Sequence, residues 1–319
     1  MGRDVGVIGL GAWQLGADWG PVSEADARAI LAAAVGAGVT FLDTADVYGD
    51  GRSEQLIGRF LRERPGAGLT VATKMGRRVP QTPDAYTLDN FRAWTDRSRA
   101  NLGVDTLDLV QLHTPPTPVF HTDAVFDALD TLVQEKRVAA YGVSVETSDE
   151  ALAAIARPGV ASVQIILNAF RHKPLEQVLP AAAAAGVGVI ARVPLASGLL
   201  SGRYDEHTRF AADDHRTFNR QGQAFDVGET FSGVDFSVGL QAVRRLIPLV
   251  PDGVTMAQFA LRWILDQPGV TVVIPGARTG EQARANAAAA DLAPLPGETR
   301  AAVAAVYDEL IRPQVHHRW

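Results

Sequence analysis

The run Val187-Gly188-Val189-Ile190-Ala191 contains no polar side chain. A strand with one face in water alternates polar and apolar residues. A run that is apolar throughout is covered on both faces, as the strands of a parallel sheet are. It belongs to a series of β-rich runs at 5–10, 39–43, 69–74, 107–113, 139–145, 162–168, 187–195 and 271–275. Amphipathic, alanine-rich stretches with helical spacing accompany them, at 24–37, 53–63, 88–102, 122–136, 148–156, 175–185, 255–267 and 280–290. Ser23 before Glu24 and Asp26 suits an N-cap followed by acids at the positive helix end, and Gly36 or Gly38 suits its close. Eight strand–helix alternations in one chain of this length predict an α/β fold, a (β/α)8 TIM barrel occupying residues 1–319 as a single domain. The rival is an open doubly wound sheet with a glycine-rich first turn. Here Gly9-Leu10-Gly11 is followed by Ala12-Trp13-Gln14, not by the G-x-x-G continuation that opens a helix.

Two stretches break the rhythm. Residues 203–234 form a long polar segment with scattered Phe210, Phe218, Phe225 and Phe231. A structureless loop of that length is commonly a lid or binding loop, and this one follows the seventh strand. Residues 235–250 read as an additional helix, and 297–312 as a C-terminal helix followed by a tail to 319.

Hydrophobic residues make up 47% of the 319 and charged residues 21%, enough apolar material for a large core. The net charge of −6 argues against nucleic acid as a partner. With no cysteine, disulfides, thiol nucleophiles and thiolate metal sites are excluded. No apolar run approaches the ~20 residues that span a bilayer, and Met1-Gly2-Arg3-Asp4 lacks the plan of a signal peptide. A cytoplasmic protein with no membrane partner is expected. The histidines lack ligand spacing: His316-His317 is an adjacent pair in a presumed surface tail, and His121, His172, His207 and His215 fall in predicted loops, so no metal site is expected. Arg171-His172-Lys173 reads as a small solvated basic knot after the sixth strand.

Strand C-termini converge on one face of such a barrel, where active sites are built. Asp43 ends the second predicted strand, Lys74 the third and His113 the fourth, with Tyr48 five residues beyond Asp43. Singly, each has an ordinary explanation as a turn former, a solvated charge, a loop ring or a near-core imidazole. Together they place a phenol, an ammonium, a carboxylate and an imidazole on one face. An ammonium ~4 Å from a phenol favours the phenolate by roughly 4 kcal/mol at an effective dielectric of ~20, so a lowered Tyr48 pKa is expected before desolvation acts. Asp43 would orient Lys74, and His113 would bind a carbonyl oxygen or relay a proton. The set suits protonating a nascent alkoxide. It holds no hydride, which a nicotinamide must supply. Trp13, and less so Trp19, would wall the substrate pocket.

The run Phe41-Leu42-Asp43-Thr44-Ala45-Asp46-Val47-Tyr48-Gly49 with Ser53-Glu54 resembles the aldo-keto reductase signature, as do Val71-Ala72-Thr73-Lys74 and the segment from Leu102 to His113. The resemblance covers nearly the whole chain. It implies NADPH-dependent reduction of an aldehyde or ketone, with Asp43, Tyr48, Lys74 and His113 as catalytic tetrad and Trp13, Tyr48 and His113 against a small carbonyl substrate. It also implies cofactor contacts from Gly11, Ala12, Trp13, Gln14 and Asp43, with Ser144 and Gln164 holding the carboxamide. Arg192, Val193, Pro194, Leu195, Ser197, Gly198 and Leu199 correspond to the segment that packs on nicotinamide and wraps the pyrophosphate. Ile274, Gly276, Ala277, Arg278, Gln282 and Asn286 correspond to the adenosine-phosphate site at a helix N-terminus. Arg192 stands where many relatives carry a stacking aromatic. Gly276 and Gln282 stand where some carry lysine and arginine, so Arg278 is the main candidate for a 2′-phosphate and Arg284 a weaker one; NADP(H) is favoured over NAD(H). The alternative on the same fold is a nicotinamide-binding regulatory or channel-associated subunit with vestigial redox activity.

Overall fold

The computed structural model describes residues 2–16 and 22–319. Eight parallel strands follow one another in chain order around a ring: β1 (Leu10–Gly11), β2 (Phe41–Asp43), β3 (Thr70–Met75), β4 (Leu109–His113), β5 (Tyr141–Ser144), β6 (Val160–Ile166), β7 (Gly188–Arg192) and β8 (Val272–Val273). Gly9 N donates to Val273 O at 2.8 Å, Val273 N to Val7 O at 3.0 Å and Gly11 N to Pro275 O at 3.0 Å, which joins the last strand to the first and closes the ring. The two closing strands are shorter than the expected 5–10 and 271–275. Their outer pairings are the isolated bridges Ile8 to Val273 and Gly11 to Gly276. Pro275, with no N–H to give, interrupts a continuous ladder there.

Outside the ring run α1 (Glu24–Gly36), α2 (Arg52–Glu63), α3 (Leu88–Leu102), α4 (Asp123–Gln134), α5 (Ser148–Ile155) and α6 (Val178–Ala185). The short α7 (His215–Phe218) and the additional α8 (Phe236–Leu246) precede α9 (Met256–Leu265), and α10 (Gly280–Ala287) follows β8. Ser23 caps α1 as expected, its hydroxyl accepting from Asp26 N at 3.1 Å. No helix among the described residues is long and apolar enough to cross a membrane.

Strand side chains alternate between barrel interior and helix layer. Phe41, Ala72, Leu109, Ala140, Ile190, Val272 and Ile274 form one buried apolar cluster distinct from the larger core. Two residues further along the same strands stand Asp43, Lys74, Gln111 and Arg192. Period two therefore puts the polar set directly above an apolar plug. The register completes the arrangement, pairing Gly11 with Asp43, Lys74 with Gln111, His113 with Ser144 and Ser144 with Gln164.

Residues 203–234 are not the structureless loop expected. They carry α7 and tight turns at Val227–Glu229 and Phe231–Gly233. Tyr204, Phe210, Phe231 and Phe236 pack edge-on or tilted at centroid separations of 5.1–6.3 Å. These rings extend the main core, in which Phe231 is buried and against which Tyr204, Phe210 and Phe236 pack. Two residues of the expected basic knot, Arg171 and His172, are likewise buried. His172 stacks between Tyr307 at 3.8 Å and Trp263 at 4.6 Å, and burial draws its pKa down to about 3. After α11 (Gly297–Val306) a wide turn over Tyr307–Ile311 leads into α12 (Arg312–Val315). The tail is not a surface feature: Val315 and Trp319 are buried, and His316 Nδ1 lies 2.8 Å from the Tyr307 hydroxyl.

Candidate active site

The ends of β2, β3 and β4 bring Asp43, Lys74 and His113 together, and the turn after β2 adds Tyr48. Lys74 is 1% exposed. Its ammonium contacts the Asp43 carboxylate, donates to Thr44 O at 2.9 Å and reaches the Tyr48 hydroxyl at 3.4 Å. Asp43 is held from its other side as well, since Oδ2 accepts from Gln164 Nε2 at 2.7 Å and from Gln111 Nε2 at 3.3 Å. Tyr48 faces the His113 ring edge-on at 5.9 Å and stacks on Trp13 at 6.0 Å. Trp13 in turn packs on His215 at 5.4 Å and Phe225 at 6.0 Å, so the segment after β7 supplies part of the wall. Trp19 lies outside the described residues.

Electrostatics correct one expectation. Burial raises the Tyr48 pKa above its ordinary 10.0, outweighing the lowering effect of Lys74, while Asp43 and Glu229 add to the rise. The ammonium is largely neutralised by Asp43, so its pull on the phenol is weaker than that of a free charge. Lys74 is also raised; burial opposes its charge, but Asp43 and Tyr48 more than compensate. His113 falls well below 6.5 through burial and the nearby cations Arg77, Lys74 and Arg192. Around neutral pH the site holds a phenol, an ammonium and an uncharged imidazole.

At the end of β7, Val193, Ala196, Ser197 and Gly198 all have positive φ, at 51°, 47°, 53° and 95°. Left-handed non-glycine residues cost about 1–2 kcal/mol each and gather at ligand-binding turns. Within this turn Ala196 N donates to Val193 O at 3.1 Å and Gly198 N to Leu195 O at 2.9 Å, which fixes the bend at the barrel mouth. The first loop abuts the segment after β8: a Cβ on Gly276 would lie 2.1 Å from Gln14 Nε2, so a larger residue there would displace the Gln14 side chain. At α10, Thr279 caps Gln282 N at 3.1 Å, the Gln282 side chain accepts from Arg278 N at 2.8 Å, and Asn286 Nδ2 donates to Gly276 O at 3.1 Å. Arg278 is exposed and has no acidic partner among the described residues. These features fit a dinucleotide with its adenosine phosphate at a helix N-terminus.

Other expected contacts sit differently. Ala12, Leu199, Ile274 and Ala277 are buried, and the amides of Ala12 and Ile274 donate to Asp43 O at 2.8 Å and Ala191 O at 3.1 Å. Ser197 Oγ is engaged within the protein, donating to Glu229 O and accepting from Phe231 N, both at 3.0 Å. Arg192 is neither a surface residue nor free to move. At 6% exposure it lies 2.9 Å from Glu146 Oε2 and 2.7 Å from Glu229 Oε1. Burial pushes Glu146 up to about 7, with Glu229 and Asp226 adding to the rise against the pull of Arg192. Arg77, Glu146 and Glu229 escaped the reading of the sequence. Arg77 and Glu146 each stand two residues past a strand end, Arg77 donating to His113 O at 3.2 Å, so the strand-end rule carried slightly further would have found them.

The model of the Aldo/keto reductase family matches residues 7–308. The chain belongs to the aldo/keto reductase family. That membership makes it an NAD(P)H-dependent oxidoreductase. An uncharacterized oxidoreductase of Mycobacterium tuberculosis is 33% identical over 303 residues, covering 89% of this chain and 84% of its own. An aldo-keto reductase of Bacillus subtilis is 29% identical, covering 89% and 85%. The structure of a glycerol dehydrogenase from Gluconobacter oxydans superimposes with a TM-score of 0.81 at 28% identity over 98% of this chain and 94% of the other. A probable voltage-gated potassium channel subunit beta of Arabidopsis thaliana is 29% identical over 92% and 90%.

Proposed function

We propose that this aldo/keto reductase converts an aldehyde or ketone to the alcohol with NADPH, using Tyr48 as proton donor. The observation that carries the reading is the buried Lys74 ammonium seated between the Asp43 carboxylate and the Tyr48 hydroxyl at the barrel mouth. A nicotinamide held there would supply the hydride that the protein's own residues lack. Tyr48 Oη gives its proton to the carbonyl oxygen as charge develops on it. Lys74 then stabilises the phenolate left behind, and Asp43 keeps Lys74 aimed. Uncharged His113 offers a ring N–H to the same oxygen and fixes its position. Ser144 and Gln164, beside His113 in register, are suited to a carboxamide. Aldo-keto reductases from Klebsiella pneumoniae that share this fold are solved with NADP and with NADPH, which supports NADP(H) here alongside Arg278.

A panel of aldehydes and ketones followed by NADPH oxidation, then repeated with NADH, tests the reading. Turnover with NADPH is expected. Arg278→Ala should weaken NADPH binding about tenfold, the worth of one charged hydrogen bond, and leave NADH unchanged. Equal losses for both cofactors would remove the 2′-phosphate assignment. The plant relative named as a channel subunit motivates a second reading, a nicotinamide-binding regulatory subunit. Cofactor binding without turnover of any carbonyl would favour it.

The shifted groups also set a pH profile. Reduction needs Tyr48 protonated, and its pKa lies above 10.0, so activity is lost only as pH rises past that value. His113 must stay uncharged, and its pKa lies well below 6.5. Neither group titrates between those limits, and kcat for reduction should show no step from Tyr48 or His113 there. An alkaline limb centred well below pH 10 would show that Lys74 outweighs burial after all.

A further inference from the structure

Away from the tetrad, a second buried polar assembly lies under the segment that follows β7. Arg171 is 2% exposed, and its guanidinium sits 3.6 Å from the centroid of the Trp319 ring. Trp319 Nε1 donates to Asp226 Oδ1 at 3.1 Å, and the same oxygen accepts from Gly228 N at 2.7 Å. A cation this deep requires countercharge; Glu146 and Asp226 supply it, although burial still draws the Arg171 pKa down to about 9. Two glycines admit the pair. A Cβ on Gly233, where φ is +78°, would stand 2.4 Å from Trp319 Cη2, and one on Gly228 would stand 2.2 Å from Arg171 Nη2.

The segment so gripped does not favour its own conformation. Phe231 and Ser232 hold φ at 53° and 58°, in the left-handed region that non-glycine residues resist. External contacts must hold it there, and Asn168 Nδ2, bonded to Ser232 Oγ at 2.8 Å, gives one more. The segment carries Glu229, which lies 2.7 Å from Arg192 and accepts from Ser197 Oγ through its carbonyl. Arg192 and Ser197 both belong to the β7 end read above as cofactor-binding.

We propose that Arg171, Trp319 and Asp226 form a latch that presses residues 226–233 onto the end of β7, acting as positioning residues for the cofactor by keeping Glu229 on Arg192. The proposal rests on the cofactor reading given above, and its test has one readout that needs no cofactor. In Trp319→Ala, amide hydrogen exchange across 226–233 should accelerate in the protein without NADPH, while exchange in β3 and β4 stays as it was. The NADPH release rate, followed by stopped-flow cofactor fluorescence, should rise about ten- to hundredfold, the factor that a desolvated cation–π contact and one hydrogen bond are worth together. The steady-state signature is a raised KM for NADPH with kcat changed less than the release rate, a split that general loosening of the barrel does not produce. Unchanged exchange in 226–233 overturns the latch. So does faster exchange with unaltered NADPH release. A parent protein that binds no NADPH at all sinks the cofactor reading, and the positioning role with it. If Trp319→Ala fails to fold, Trp319→Phe carries the same readouts, because it keeps a ring over Arg171 and loses the indole N–H on Asp226.

Discussion

Tyr48→Phe is expected to keep NADPH binding and to lower carbonyl turnover by roughly 10²–10⁴-fold, the usual worth of a positioned proton donor. The substitution removes one oxygen and little else. The ring keeps its stacking on Trp13 and its edge contact with His113. Lys74 keeps Asp43 and Thr44 O as partners, so no buried charge is stranded. A large loss of kcat with an unchanged cofactor dissociation constant therefore isolates the proton-transfer step. The raised phenol pKa strengthens the expectation, because the group is fully protonated at neutral pH and ready to donate. Rates are read from NADPH absorbance and affinity from cofactor fluorescence. Wild-type kcat in this variant would remove Tyr48 from the mechanism, leaving His113 as the remaining donor at the carbonyl oxygen.

The strand ends were readable because a parallel barrel converts one-dimensional order into position. Once Asp43, Lys74 and His113 are known to stand at or next to the ends of successive strands, register and period two place them together with no further information. The sign of the Tyr48 shift was not readable. It depends on how far burial offsets an ammonium already countered by Asp43, and burial is a property of the assembled mouth. The order of residues 203–234 was hidden for a related reason. Local composition there is polar and glycine-containing, and the contacts that fix it come from far along the chain: Trp319 bonds Asp226 across 93 residues and Asn168 bonds Ser232 across 64. Arg171 and His172 misled in the same way, since a basic tripeptide after a strand carries no mark of the Trp319 and Tyr307 rings that cover it.

Lys74→Met should abolish turnover and also destabilise the fold by about 3–5 kcal/mol, the range found when one partner of a buried ion pair is removed. Asp43 is 3% exposed, and without the ammonium its charge is left to the Gln111 and Gln164 amides, which supply hydrogen bonds but no countercharge. The stability cost and the catalytic cost have different origins, and a second substitution separates them. Adding Asp43→Asn removes the stranded charge while keeping the side chain's size, so urea midpoints should recover much of the loss. Turnover should not recover, because nothing then stabilises the phenolate that proton donation leaves on Tyr48. Joint recovery of stability and activity would mean that Lys74 serves the fold alone. No destabilisation in the single variant would mean that the apolar plug of Phe41, Ala72 and Leu109 beneath the site does not enforce the dryness on which the electrostatic argument depends.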